Sequence, residues 1–212
     1  GNGLRLTASY GTAFKAPTFN QLYDPFVGNP AIRPEKSESI ELALRGKEEW
    51  GKWDVRAYRT DVDDLIIFQP PTYQAANINR ARIRGLETEI STRTGWGELA
   101  LNATLLDPRD VETDKLLPRR ARRSLRLDAD RAFGPLRLGA EWLVQGHRYD
   151  DPANTVRMGG YGLANLRAQY DLGKYWFLRA RADNILDKEY ETAATYNSLG
   201  RRYFVTLGYQ AR

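Results

Sequence analysis

The 212-residue chain has no cysteine, one histidine and one methionine. The missing thiols exclude a disulfide framework, a thiolate zinc site and a cysteine nucleophile. They leave the compartment open. Long apolar stretches are missing too: mean hydropathy is -0.60, and no run approaches the roughly 18 apolar residues of a membrane-spanning helix. A transmembrane β-barrel survives that exclusion, because its strands hide their apolar band in alternation. The opening GNGLRLTASYG lacks a basic segment followed by an apolar core, so no signal peptide is expected. Clustered base free of acid is scarce as well. The net charge of +5 comes from 32 basic and 27 acidic residues, and only PRRARRSLR at 118–126 concentrates base. Nucleic-acid binding is therefore not expected.

Period-2 alternation fills what remains. Leu4, Leu6, Ala8 and Tyr10 alternate with Arg5, Thr7 and Ser9. Leu86, Thr88 and Ile90 alternate with Glu87, Glu89 and Ser91, and Leu136, Leu138, Ala140 and Trp142 with Arg137 and Glu141. Ten such segments run along the chain, most of a length to cross a bilayer at a tilt, about nine to eleven residues. Tight turns are expected near Trp50-Gly51, Gly95-Trp96-Gly97, Phe133-Gly134-Pro135 and Leu172-Gly173-Lys174. Long loops are expected at 13–36, 62–80, 107–123, 147–159 and 184–200. Long and short alternate throughout, which puts all long loops at one end of an up-and-down meander. A transmembrane barrel shows this asymmetry; a Greek-key sandwich does not.

The polar faces carry both signs of charge: Arg45, Glu87, Glu89, Arg126, Asp128, Arg137, Glu141, Arg179 and Arg181. A wet lumen accepts them. The alternate apolar residues then face lipid, with Trp50, Trp53, Trp96, Phe133, Tyr170, Tyr175, Trp176 and Phe177 forming an aromatic girdle at the short-turn end. The expected fold is all-β, an antiparallel up-and-down transmembrane β-barrel, located in the outer membrane of a Gram-negative cell.

Five ordered motifs give that fold a family. Asn184-Ile185-Leu186-Asp187-Lys188-Glu189-Tyr190 resembles the Asn-Leu-Phe-Asp-Lys-x-Tyr motif of TonB-dependent outer-membrane receptors. Thr12-Ala13-Phe14-Lys15-Ala16-Pro17 with Gln21-Leu22-Tyr23 resembles their Phe-Arg/Lys-Ala-Pro segment. Gly28-Asn29-Pro30 through Ser37 and Glu41, Asp61 through Ile66, and Asn77 through Glu87 resemble three more. Within the family the likeness is greatest to the cobalamin receptors, carried by Leu116 through Ala121, Arg148-Tyr149-Asp150 and Thr155 through Gly160. The resemblance implies a 22-stranded barrel with a separate plug, of which residues 1–212 would be the last ten strands or so, without the plug. It implies import of cobalamin or a related chelate with energy from TonB acting through the plug. Lipopolysaccharide, outer-membrane lipid and the barrel assembly machinery are its other implied partners. Family barrels end in an aromatic residue; here the alternation from Tyr209 leads to Ala211 and Arg212.

The same resemblance singles out Arg119 as a ligand contact, with Arg120 beside it. Tyr149 is the nearest candidate for the loop aromatic that follows in the receptors. Arg119, Arg120, Arg122 and Arg123 also suit lipopolysaccharide phosphates. Asp61, Asp63 and Asp64, or Asp150 and Asp151, offer carboxylates without a full calcium set, so no metal and no cofactor is expected. An enzyme would need His147 beside Asp150 or a nucleophile such as Ser198. No motif surrounds these residues, and no enzymatic activity is expected.

Overall fold

The computed structural model describes residues 3–69 and 72–210. The end of the alternation, at Ala211 and Arg212, lies outside the described residues. Ten long strands carry the architecture: β1 (Gly3–Lys15), β2 (Glu35–Glu48), β3 (Gly51–Gln69), β4 (Gln74–Arg93), β5 (Glu98–Asp110), β6 (Arg123–Phe133), β7 (Leu136–Gln145), β10 (Tyr161–Leu172), β11 (Trp176–Asp183) and β14 (Arg202–Tyr209). They form one antiparallel sheet in that order, each beside its neighbour in the chain. Two short pairs interrupt the long loops: β8 (Arg148–Tyr149) with β9 (Arg157–Met158), and β12 (Glu191–Ala193) with β13 (Tyr196–Asn197). A one-turn helix, α1 (Phe19–Tyr23), sits in the first loop behind a Thr18/Gln21 capping box.

The polarity of the sheet is that of a membrane wall. Leu6 pairs with Leu44, Ala8 with Leu42, and Tyr10 with Ile40; farther along, Leu101 pairs with Leu127 and Leu178 with Leu207. These side chains share one face, and that face is open: Leu6 is 67% exposed, Ile40 62% and Val205 75%. Buried apolar residues are few and gather at the long-loop end. Val62, Leu65, Ala81 and Leu117 make one cluster, and Ile32, Ile66 and Ala75 another. In water such a chain would leave its largest apolar surface unburied. Lipid supplies the missing cover.

The opposite face is a ladder of ions. Asp54 is shared by Arg45 and by Arg56, the latter at 2.6 Å. Arg126 bonds Asp128 at 2.8 Å and Glu141 at 2.7 Å, and Arg167 reaches both Asp128 and Asp130. Asp183 lies between Arg181 and Arg202. All nine charged residues expected on the lumen side occupy this face by their register.

Two expectations change. Within the segment 62–80, residues 62–69 and 74–80 are strand rather than loop. Strands β3 and β4 run on for 19 and 20 residues and stay paired from Gly51↔Thr92 to Gln69↔Gln74. Beyond the apolar band the long loops pack on this hairpin, with Leu117 against Val62, Leu65 and Ala81 and Ile32 against Ile66 and Ala75, so apolar residues fall on both faces and the alternation fades while the ladder persists. The second change concerns Phe177. Trp176 faces out with Leu178, which puts Phe177 on the ionic face. There it covers Gly208, where an added Cβ would run into its ring, and Arg179 stacks 4.3 Å from its centre. Of the rest of the short-turn girdle, Trp53 is half-buried over Gly46, and Trp50, Trp96, Phe133, Tyr170, Tyr175 and Trp176 are exposed. A second outward set, Phe14, Trp142 and Tyr203, lies toward the long loops.

The lipid-facing assignment has a direct consequence. In the full-length protein, Leu42→Arg costs about 2–4 kcal/mol, while Asn102→Arg on the ionic face costs a fraction of that. Reversible unfolding in lipid vesicles measures both; equal costs would overturn the assignment.

Candidate ligand-binding site at the long-loop end

The loops 111–122, 146–160 and 184–201 meet at one buried carboxylate. The side chain of Asp150 is 2% exposed. Arg119 donates to it through Nε at 2.7 Å and Nη2 at 3.3 Å. The backbone N–H of Ala194 donates at 3.1 Å, and the Tyr73 hydroxyl lies 3.5 Å away on the other side. One aspartate thus joins three loops and the tall β3–β4 hairpin. Burial pushes its carboxyl up. The hydrogen bonds from Arg119 and Ala194, with the charge of Arg119, outweigh burial and hold it below the ordinary aspartate range.

Neighbouring residues fix the same junction. Asn154 accepts from the Leu116 N–H and donates to the Leu116 carbonyl, both at 2.8 Å, so its amide stands in for a strand partner. Its φ of 58° suits Asn better than most residues. Leu117, next in the chain, is 2% exposed and is the buried apolar anchor of the loop. Asp151 accepts from the N–H groups of Thr155 and Val156 at 2.9 and 2.7 Å. The Asn184 motif closes the last corner. Asn184 accepts from Lys188 N–H and donates to Lys188 O, each at 2.9 Å, while its own N–H binds Asn165 Oδ1 at 2.7 Å. The strand therefore stops at 183 because Asn184 and Asp187, with φ of 50° and 53°, turn the backbone out of the sheet.

Sequence reasoning selected Arg119, Arg120 and Tyr149, and all three lie at this junction. Arg119 spends one edge of its guanidinium on Asp150, and its N–H donates to the Tyr149 carbonyl at 2.6 Å. Its side chain stays 42% exposed and its charged carbon lies 5.9 Å from the Tyr73 ring centre. The half-buried Tyr149 meets His147 edge-on, with ring centres 6.3 Å apart. Arg120 differs from both. Its Nη1 is buried with no acceptor among the described residues. Burial pushes this guanidinium down, and the charge of Glu35 only partly opposes that. Arg148 leaves Nε in the same state. Sequence reasoning missed Tyr73, Asn154 and Ala194. Tyr73 and Asp150 are 77 positions apart, and no local pattern signals that contact.

Comparison with known proteins identifies the framework. The family described as "TonB dependent receptor-like, beta-barrel" matches residues 1–185. The chain belongs to the TonB-dependent receptors. It is 33% identical to the vitamin B12 transporter BtuB of Photobacterium profundum, across 98% of this chain and 35% of that protein. It superposes on the copper transporter OprC with a TM-score of 0.81 at 22% identity, covering 97% of this chain and 37% of that one. On the ferric enterobactin receptor PfeA of Pseudomonas aeruginosa the TM-score is 0.75 at 21% identity, with coverages of 96% and 38%. Both structural likenesses carry the fold. The chain spans about a third of the length of these relatives. As a member of this family it is an outer-membrane β-barrel chain.

The junction yields two expectations. Asp150→Asn removes the charge that holds Arg119 and costs about 1–3 kcal/mol locally; limited proteolysis of the full-length receptor should then cut within 111–122 and 184–201 where the wild type resists. The pH dependence has a definite sign. A carboxyl whose folded pKa lies below its unfolded value contributes fully above about pH 4, and the contribution fades as pH falls through the lowered folded value. Pepsin digestion across the acid range should leave these loops intact until the pH is well below 4. Loss of protection between pH 5 and 6 would contradict the junction.

Proposed function

We propose that the chain is the C-terminal part of a TonB-dependent receptor barrel, residues 1–212, and that the whole receptor captures cobalamin and imports it with TonB-derived energy. The observation that carries this reading is the 33% identity to a vitamin B12 transporter across 98% of the chain, which includes the loop junction around Arg119, Tyr149 and Asp150. The chemistry agrees. Cobalamin presents amides and a phosphate, all of them acceptors that a guanidinium can bond. Arg120 brings a donor with no protein acceptor among the described residues, and an unpaired buried donor costs about 1–3 kcal/mol until a partner arrives. Arg119 brings the exposed edge that Asp150 leaves free. Tyr149 gives the same junction an aromatic edge.

In this reading the barrel performs no bond chemistry. His147 packs on Tyr149 and Asp150 is committed to Arg119, which leaves His147 no carboxylate partner in Asp150. The ion ladder on the inner face faces the plug, through which TonB acts. The barrel assembly machinery inserts the chain into the membrane.

Equilibrium binding of cyanocobalamin to the full-length receptor in detergent tests the reading, with ferric enterobactin as competitor. Tight binding that the siderophore does not displace is expected, and Arg120→Ala should weaken it by about tenfold or more. Absence of cobalamin binding with retained ferric-chelate binding would move the receptor to the siderophore branch.

A further inference from the structure

At the top of the inner face, β7 ends at Gln145, opposite Tyr161 of β10. Three residues on, Arg148 folds back over this rung. Its guanidinium carbon lies 5.5 Å from the Tyr161 ring centre, and the Tyr161 ring centre lies 4.4 Å from that of Tyr190. The stack ties the loops 146–160 and 184–201 to the sheet. Arg148 is only 7% exposed. Its one side-chain hydrogen bond among the described residues runs from Nη2 to Gln145 Oε1 at 3.4 Å, a length at which such bonds are weak. Its Nε has no acceptor there at all.

A buried cation is thus left without a counter-charge. The acids next along the loop are committed elsewhere: Asp150 to Arg119 and the Ala194 N–H, and Asp151 to the N–H groups of Thr155 and Val156. Arg120 adds to the surplus. The Arg119 N–H donates to the Tyr149 carbonyl and the Gly146 N–H to the Arg123 carbonyl, so the two segments run antiparallel and set Arg120 and Arg148 at facing positions. Arg120 also holds a buried Nη1 without an acceptor among the described residues. Tyrosine faces and a weak amide contact replace part of the lost water, but neither cancels a charge. That difference decides the kind of partner. An amide oxygen satisfies one N–H and leaves the charge in place, whereas a phosphodiester oxygen answers both.

We propose that Arg148, on its Tyr161–Tyr190 platform, is the subsite for an anionic group of the captured ligand. On the cobalamin reading, on which the identity of the ligand rests, that group is the phosphodiester of the nucleotide loop. The phosphate displaces Gln145 from the Nη2 edge and takes the Nε–H as well, and Arg120 supplies a further donor from the facing segment. Arg119 keeps its place on Asp150. The site therefore prefers a corrinoid that carries its nucleotide loop over one that has lost it, a preference that amide contacts common to both do not produce.

Equilibrium binding to the purified full-length receptor in detergent tests this with cyanocobalamin and with cyanocobinamide, the same ring without phosphate, ribose and base. Cyanocobalamin should bind about tenfold tighter or more. Two variants separate the phosphate from the base. Arg148→Gln removes the cation, and the nearly isosteric Gln145→Glu gives Arg148 a carboxylate of the protein's own. Each should reduce the preference to within about threefold. Equal binding of the two corrinoids by the wild type would overturn the proposal, and that comparison depends on no variant. So would a full preference retained by Gln145→Glu, because contacts to the base then account for it. If neither corrinoid binds, the cobalamin reading fails and dimethyl phosphate decides the anion site. Slowed amide hydrogen exchange within 146–160 on adding it, absent in Gln145→Glu, upholds the site; unchanged exchange in the wild type overturns it.

Discussion

A peptide group in hydrocarbon has no water to bond, and each one left unpaired costs several kcal/mol. Most of this structure follows from that constraint. The strands pair with their chain neighbours because an antiparallel meander satisfies every interior ladder with the shortest connections. The β3–β4 ladder continues without a break for most of two long strands. The side chains then divide by what they meet, not by what a water-soluble protein would bury. Leucine, valine and aromatics are left open on one face, and arginine and aspartate are drawn together on the other. The same constraint falls on β1 and β14, which end the strand order. A strand edge in lipid must be paired, and the proposed place of this sheet as one sector of a larger closed wall would pair both. Relatives about three times its length fit that requirement.

The inner face uses its charges economically. Asp54, Asp128 and Asp183 each serve two arginines, one two residues away on the same strand or its neighbour's rung and one across the sheet. Partly exposed pairs of this kind contribute little individually. Their value lies in tying adjacent strands while leaving donors and acceptors within reach of water. A lumen lined this way is soluble without being sealed. It can exchange its hydrogen bonds for those of a docking domain at small net cost, whereas an apolar lumen would bind such a domain too firmly to release it.

Much of this was readable in the sequence, because lipid imposes a period of two and turns impose Gly, Pro and Asn. The strand number, the order of long and short connections and the charged face all follow from that period. Reading failed where lipid stops. From Val62 to Ala81 the loops pack on the hairpin through Leu117 and Ile32, so apolar residues fall on both faces, the alternation vanishes and a paired hairpin looks like a loop. Phe177 failed for another reason: it fills the space over Gly208, a cross-strand fit that depends on register rather than on its own neighbours in the chain. The site residues were found through family motifs, which pointed to Arg119, Arg120 and Tyr149. The network that fixes them was not found. Tyr73, Asp150 and Ala194 come from three different connections, and only the sheet order brings those connections together.

That network shows how the loop end differs from the wall beneath it. In the wall, pairing is repetitive and many small contacts share the load. At the loop end, one buried carboxylate binds an arginine, a backbone amide and a phenol from three other segments. Such a junction is specific because the cost of leaving Asp150 unpaired is large. It holds the loops in one arrangement before any ligand arrives. Beside it, Arg120 and Arg148 keep buried donors without acceptors among the described residues. A fold stabilised for its own sake would have paired them or removed them. Rigid loops next to unpaired donors reduce the ordering cost of binding and add to the gain from it. That combination is what the proposed ligand site at the loop junction rests on.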